Sequence, residues 1–309
     1  MSERDIDPSV YRRRLRNELR RMRESRGVTQ SAVAAEMEWS VSKLIRIESG
    51  TVAISVSDLK ALLGYYEVTG GDEVRTLTKM ARNAKKSSWL SEYRGVMGDV
   101  FLTFLGYEDA AARSYGFEPI FVPGLLQTEE YALEVLRVIR GSKDPQRIGR
   151  LVDLRLARQE RILSRADGIK LNFLLDESVI RRAVGGHEVM RRQVKHLLDS
   201  TEQENLTIRI LPFRCGVYRS MRVPFVVLEF AENEDEAILY LEYPQGEELI
   251  REDGPYDAEG GADPADPTAP PTYLQIFSEL QQLTSEDETS DILRTALRET
   301  MDQADIPAS

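Results

Sequence analysis

The chain has one cysteine and two histidines in 309 residues. A lone thiol, Cys215, forms no internal disulfide and builds no cysteine cage for zinc. His187 and His196 are the whole histidine complement, nine positions apart in a segment of helical pattern. A metal site there would need carboxylates from elsewhere, so no metal and no cofactor are expected. Long apolar runs are missing too: stretches such as Val223 to Phe230 are far too short to cross a bilayer. No apolar segment of a secretory leader follows the charged start Met1-Ser-Glu-Arg-Asp5. These absences lead us to expect a cytoplasmic protein without a membrane partner. Glycine-rich phosphate loops are absent, Gly70-Gly71 and Gly185-Gly186 being isolated pairs. Cys215 reads as a bystander despite Arg214 and Arg219 nearby, and with no coherent catalytic constellation an enzyme is not expected.

What is present describes an ordinary soluble protein, 41% hydrophobic and 30% charged, with a net charge of −11. That charge is unevenly divided. Residues 1–86 carry 17 Lys and Arg against 12 Asp and Glu, about +5, which leaves about −16 for the remainder. Such asymmetry hints at a nucleic-acid module joined to something else.

The first segments read as short helices. Asp7-Pro8 starts one, with Tyr11, Leu15, Leu19 and Met22 at helical spacing and Arg26-Gly27 ending it. Arg12, Arg13, Arg16, Arg20 and Arg23 are expected on its remaining surface. Thr29 caps a predicted helix over residues 30–37 and Ser40 one over 41–49, closed by Gly50. A fourth begins after Ser57 and buries Leu59, Leu62 and Leu63. Residues 72–86 read as a helix leading out of the small domain, with Ala84-Lys-Lys-Ser-Ser88 as a hinge.

Thr29 to Gly50 is the informative stretch. Val33, Ala34, Met37, Leu44 and Ile47 supply the small and branched residues that two short helices need when they cross steeply around a tight turn. The stretch resembles the helix-turn-helix of lambda-repressor-like, Xre-type regulators, whose pattern runs Thr-Gln, Leu-Ala, a serine near the start of the recognition helix, then Ile-x-x-Ile/Leu-Glu-x-Gly. Glu38 departs from the pattern, standing where the family usually has glycine in the turn. The resemblance implies that Gln30 donates to a phosphate of double-stranded DNA, and that Ser40, Val41, Ser42, Lys43 and Arg46 project from the reading helix. Arg46 suits a guanine, Val41 a thymine methyl, Ser42 either base type, and Lys43 a phosphate.

Beyond Trp89 segments of strand pattern (114–122, 169–175, 206–211, 224–230 and 237–243) alternate with helical ones (129–140, 145–165, 187–200, 272–282 and 287–303). The expected fold class is therefore an α-helical lambda-repressor-like domain followed by a larger mixed α+β domain. We expect residues 1–70 as the DNA-binding domain, 71–88 as linker helix and hinge, and 89–309 as the α+β domain. Residues 252–271, rich in proline and acid, read as a disordered loop within it.

Pro123-Gly124 ahead of Leu-Leu-Gln127-Thr reads either as a binding loop or as a plain strand-to-helix turn. Arg155, Arg158 and Gln159 share a helical surface by spacing. They either receive an anionic ligand or pair with Glu177 and Glu242 in a structural network. Asp176-Glu177 reads most simply as a helix cap.

Several phrases here, Val122-Pro-Gly-Leu-Leu-Gln-Thr-Glu-Glu-Tyr-Ala132, Arg155-Leu-Ala-Arg-Gln-Glu-Arg-Ile-Leu163 and Leu175-Asp-Glu-Ser-Val-Ile-Arg-Arg-Ala-Val-Gly185 among them, are similar to the WhiJ-like actinobacterial regulators. That resemblance implies a sequence-specific transcriptional regulator whose second domain senses a ligand or partner. It also implies an antitoxin-like character and a possible small protein partner encoded nearby. Alternatives are an antitoxin-like interaction module with autoregulatory DNA binding, and an enzyme tethered to a DNA-binding domain. A homodimer is expected, because one such domain touches too few base pairs to select a site alone.

Overall fold

A computed structural model describes residues 7–49, 52–139, 141, 144–165, 168–231, 237–251 and 269–304. The chain divides into two compact units, Met1–Glu92 and Tyr93–Ser309. The fold class is the one expected: a helical N-terminal region, then a mixed α+β unit with a six-stranded sheet.

The first unit holds α1 (Pro8–Ser25), α2 (Gln30–Glu36), α3 (Val41–Glu48), α4 (Val56–Tyr65) and α5 (Gly71–Asn83). Their starts follow local chemistry. The Asp7 carboxylate accepts from Ser9 N at 2.9 Å ahead of Pro8, and the Thr29 and Ser40 hydroxyls accept from Ala32 N and Lys43 N. Each such cap contributes about 1 kcal/mol. The fourth helix is capped by Ser55 rather than Ser57, since the Ser55 hydroxyl takes the Asp58 amide at 2.9 Å. Gly27 ends the first helical segment at φ 63°, a left-handed conformation that costs a side-chain-bearing residue more.

Leu15, Leu19, Val33, Leu44, Ile47, Leu59, Leu62, Leu63, Leu77 and Ala81 are buried together in one core. Two expectations fail here. The segment over 71–88 is no linker, because α5 places Leu77 and Ala81 inside that core. Nor do all the arginines of α1 lie on the surface: Arg13 and Arg16 are buried, at 3% and 4% exposure. Met37 is half-buried at the core's margin.

The second unit contains α6 (Asp99–Glu108), β1 (Arg113–Glu118), α7 (Glu129–Ile139), α8 (Pro145–Leu163), β2 (Lys170–Asp176), α9 (Ser178–Arg181), α10 (His187–Ser200), β3 (Leu206–Leu211), β4 (Phe225–Glu229), β5 (Ile238–Tyr243), β6 (Gly246–Arg251), α11 (Pro270–Gln281) and α12 (Glu286–Ala304). The sheet order is β3-β2-β1-β4-β5-β6. The first three strands run parallel, joined by helical crossovers, and the last three form an antiparallel meander beside β1. On one face Ile276, Phe277 and Leu280 of α11 pack on Phe117, Leu174, Phe225, Val227, Leu239 and Leu241. On the other, Phe104 of α6 stacks on Tyr240 at 4.4 Å. The edge strand β3 is covered, with Ile210 N donating to Thr289 Oγ1 of α12 at 3.0 Å.

The strand expected over 114–122 stops at Glu118, because Pro119 has no amide to give a ladder. Strand β6 went unforeseen, although Tyr243-Pro-Gln-Gly246 forms the tight turn before it. So did α6, whose apolar residues lie on nearly every side of the helix and leave no clean period. The acidic loop ends earlier than 271, since Pro270 already occupies the first turn of α11. The rest of that segment, 252–268, lies outside the described residues.

Candidate nucleic-acid interface

Between α2 and α3 the chain turns at Glu38, whose φ of 53° is the left-handed conformation that glycine would adopt more cheaply. The residue costs about 1 kcal/mol there. Trp39 N donates back to Ala34 O at 2.8 Å, closing the turn. Leu44 and Ile47 point inward, so positions 41, 42, 45, 46 and 49 share the outer face. Val41, Ser42, Ile45 and Arg46 are exposed there, Val41 at 40% and Ile45 at 46%. Arg46 makes no ion pair among the described residues, and its Nε reaches only the Ser42 carbonyl, at 3.4 Å. Ser40 is exposed at the helix start, where its hydroxyl is the cap.

Two of the predicted contact residues are already engaged. The Lys43 ammonium lies 3.1 Å from Asp58 Oδ2 and 3.9 Å from the centroid of the Trp39 ring. A phosphate must draw it from both. Gln30 donates to Glu48 Oε2 at 2.7 Å, while Glu48 Oε1 accepts from Arg23 Nε at 2.8 Å. Glu48 is buried, so this triad ties α1, α2 and the end of α3 together. Arg16 adds a third tie, donating from Nη1 to the Ser49 carbonyl at 3.2 Å. Sequence reasoning missed Ile45; its spacing four residues after Val41 was the available signal.

In the second unit the structure joins four of the five predicted residues and leaves one apart. Residues 124–126 form a single 3-10 turn held by glutamine side chains. Gln127 donates to Val122 O at 2.7 Å, Gln159 to Gly124 O and Gln127 O at 2.8 Å each, and Gln193 to Leu126 O at 2.7 Å. Arg155 donates to the Gln127 amide oxygen. Arg158, buried, grips Glu108 in a bidentate pair at 2.6 and 2.7 Å. Its partner is therefore Glu108, not Glu177 or Glu242. Glu177 instead pairs with Arg181 at 2.9 Å and accepts from Phe213 N at 2.9 Å. Asp176 Oδ1 accepts from Ser178 N, at the start of α9, at 2.8 Å.

Glu118, at the end of β1, went unnoticed in the sequence. The residue is half-buried, and the loss of surrounding water pushes its carboxyl up to about 8. The charge of Glu242 adds to that rise, whereas Arg158 and Arg155 oppose it. Among the described residues no three metal-ligating side chains cluster, and no helix is long and apolar enough to cross a membrane.

A family model described as a helix-turn-helix domain matches residues 14–77, from within α1 to within α5. A second, described as a domain of unknown function, DUF5753, matches residues 101–258, just over half of the chain. The chain belongs to the DUF5753 family. No curated protein and no solved structure matches it. The DUF5753 match runs from α6 to beyond β6, so it takes in the whole sheet, the glutamine-held turn and the Arg158–Glu108 pair. A helix-turn-helix domain ahead of it makes this chain a regulator of the DNA-binding class, with a second region of unknown function.

Proposed function

We propose that the chain is a sequence-specific transcriptional regulator that reads double-stranded DNA through α3, with the DUF5753 region acting as sensor of a ligand or partner. The outer face of α3 carries this reading. Two exposed branched side chains, Val41 and Ile45, stand beside an arginine without an ion-pair partner among the described residues. In water alone that apolar face gains nothing; against a major groove it meets thymine methyl groups, while the Arg46 fork matches guanine O6 and N7. Ser40 and Ser42 complete the face. Gln30, one amide hydrogen spent on Glu48, keeps the other for a phosphate.

The test begins with selection of duplexes from a random pool by the full chain. Replacing thymine by uracil in the selected site deletes only the methyl group. Affinity is expected to fall for the wild type at one or more thymines, and Ile45→Ala is expected to lose that difference. Identical affinities for thymine and uracil sites in the wild type would remove the apolar part of the reading.

In the same reading the protein is Xre-type and WhiJ-like, cytoplasmic, binds rather than catalyses, and works as a homodimer on paired half-sites. The antitoxin-like alternative replaces the second copy with a small protein encoded nearby. Sedimentation of the full chain at tens of micromolar separates these: a dimer supports the first, a monomer that binds a palindromic site tightly contradicts it.

A further inference from the structure

Lys43 lies on the flank of α3, against the first turn of α4, and its ammonium is held twice. Asp58 Oδ2 is 3.1 Å from it and the centroid of the Trp39 ring 3.9 Å. Both holders are fixed by the fold. Trp39 packs against the core directly after the Glu38 turn, with its amide bonded to Ala34 O. Asp58 gives its own amide to the Ser55 hydroxyl at 2.9 Å and precedes the buried Leu59. The pair still reaches solvent, with side-chain exposures of 36% for Lys43 and 33% for Asp58. The other charges on these segments leave the pairing as it is. Glu36, Glu38, Arg46 and Lys60 are exposed, and none makes an ion pair with Lys43 or Asp58 among the described residues. Glu48 is bonded to Arg23 and Gln30.

A helix offered to a polyanion gains from each cation it carries, because every phosphate neutralised releases counterions. Helix α3 has two cations, Lys43 and Arg46, and Asp58 has already neutralised one. A partly exposed pair of this kind adds little to folding, since water screens it and two side chains must be held still. Folding thus gains little from Asp58, whereas DNA binding loses a phosphate contact. Phosphate contacts carry no sequence information, while base contacts from Val41, Ser42, Ile45 and Arg46 do. Withholding Lys43 therefore weakens the hold on every duplex and leaves the choice of site to the outer face of α3.

We propose that Asp58 is a positioning residue that latches Lys43 against Trp39 and keeps it from the DNA backbone, so setting the affinity for DNA of any sequence. To engage Lys43, a phosphate has to displace the Asp58 carboxylate. The inference rests on the reading of α3 as the DNA-contacting helix, and its test separates the two.

Full-length wild type, Asp58→Asn, Lys43→Gln and the double variant are titrated onto a selected duplex and its scrambled counterpart over a range of salt concentrations. Thermal melting shows that each variant folds. Asp58→Asn is expected to bind both duplexes about threefold tighter or more, with a log–log salt slope steeper by about 0.9, the value for one added phosphate contact. In the Lys43→Gln background the same substitution should leave the slope unchanged and gain clearly less, because only a repulsive charge is then removed. Asp58→Glu, which keeps the carboxylate, should retain the wild-type slope. The latch is refuted if Asp58→Asn leaves the slope as it was, or if it gains as much without Lys43 as with it. A lower melting temperature in Asp58→Asn with unchanged affinity refutes it too, and makes the pair a tie between α3 and α4 only. Each of these results leaves DNA reading by α3 standing. A wild type that prefers no selected duplex overturns that reading, and the latch's role with it.

Discussion

The two units spend their polar side chains in opposite ways. In the N-terminal unit the buried arginine chemistry lies behind α3: Arg16 and Arg23 of α1 hold its C-terminal end, so its outer face is free to present Val41, Ser42, Ile45 and Arg46. In the C-terminal unit the polar groups face inward. Gln127, Gln159 and Gln193 are bonded to the 122–127 segment, and Arg158 to Glu108. In the first unit the side chains of α3 that face outward are exposed, whereas in the second these polar side chains are spent on holding the fold.

The largest effect is expected where the contrast is sharpest. Arg158→Ala leaves Glu108, 1% exposed, without its partner, and such a loss destabilises by about 3–5 kcal/mol. Chemical denaturation should show the second unit unfolding early while DNA affinity at low denaturant is kept. If Arg158→Ala melts as the wild type does, the inward network is not holding the unit together.

A second prediction uses Glu118. With its carboxyl up at about 8 against an ordinary 4.5, the folded chain keeps a proton between those values that the unfolded chain has lost. This group's contribution is therefore fully present below about pH 4.5 and is lost as pH rises to about 8. Glu118→Gln should flatten the fall in stability across that window. An unchanged pH profile in the variant would show that Glu118 ionises normally.

The smallest effect sharpens the first unit. Glu38→Gly should raise its stability by about 1 kcal/mol, read as a higher denaturant midpoint at constant slope, because φ 53° no longer strains a side chain. A lower midpoint would mean that Glu38 makes a contribution its backbone does not show.

These differences also explain what was legible in the sequence. Caps and turns are local, so Asp7, Thr29 and Ser40 announced their helices, and the glycine missing at 38 announced a strained turn. The strand from 206 to 211 and the helix from 187 to 200 read cleanly because each keeps one period throughout. Helix α6 did not, being apolar on nearly all sides, and β6 was hidden by its two glutamates. Of the candidate site, Gln127, Arg155, Arg158 and Gln159 were found from one helical stripe and one turn. Glu108 and Glu118 were not, because they reach that cluster through the fold, about 50 and 40 positions before Arg158. Arg13 and Arg16 read as surface residues for the same reason: their burial depends on what α1 packs against.

The central claim, that the outer face of α3 reads bases, is tested most directly by one pair of binding curves. Wild type and Arg46→Ala are titrated onto a selected duplex and onto its scrambled counterpart in matched salt. The account predicts that the wild type prefers the selected duplex, and that Arg46→Ala loses about 1–3 kcal/mol on that duplex while its affinity for the scrambled one hardly changes. Equal affinity of the wild type for both duplexes, with Arg46→Ala indistinguishable from it, would contradict the account.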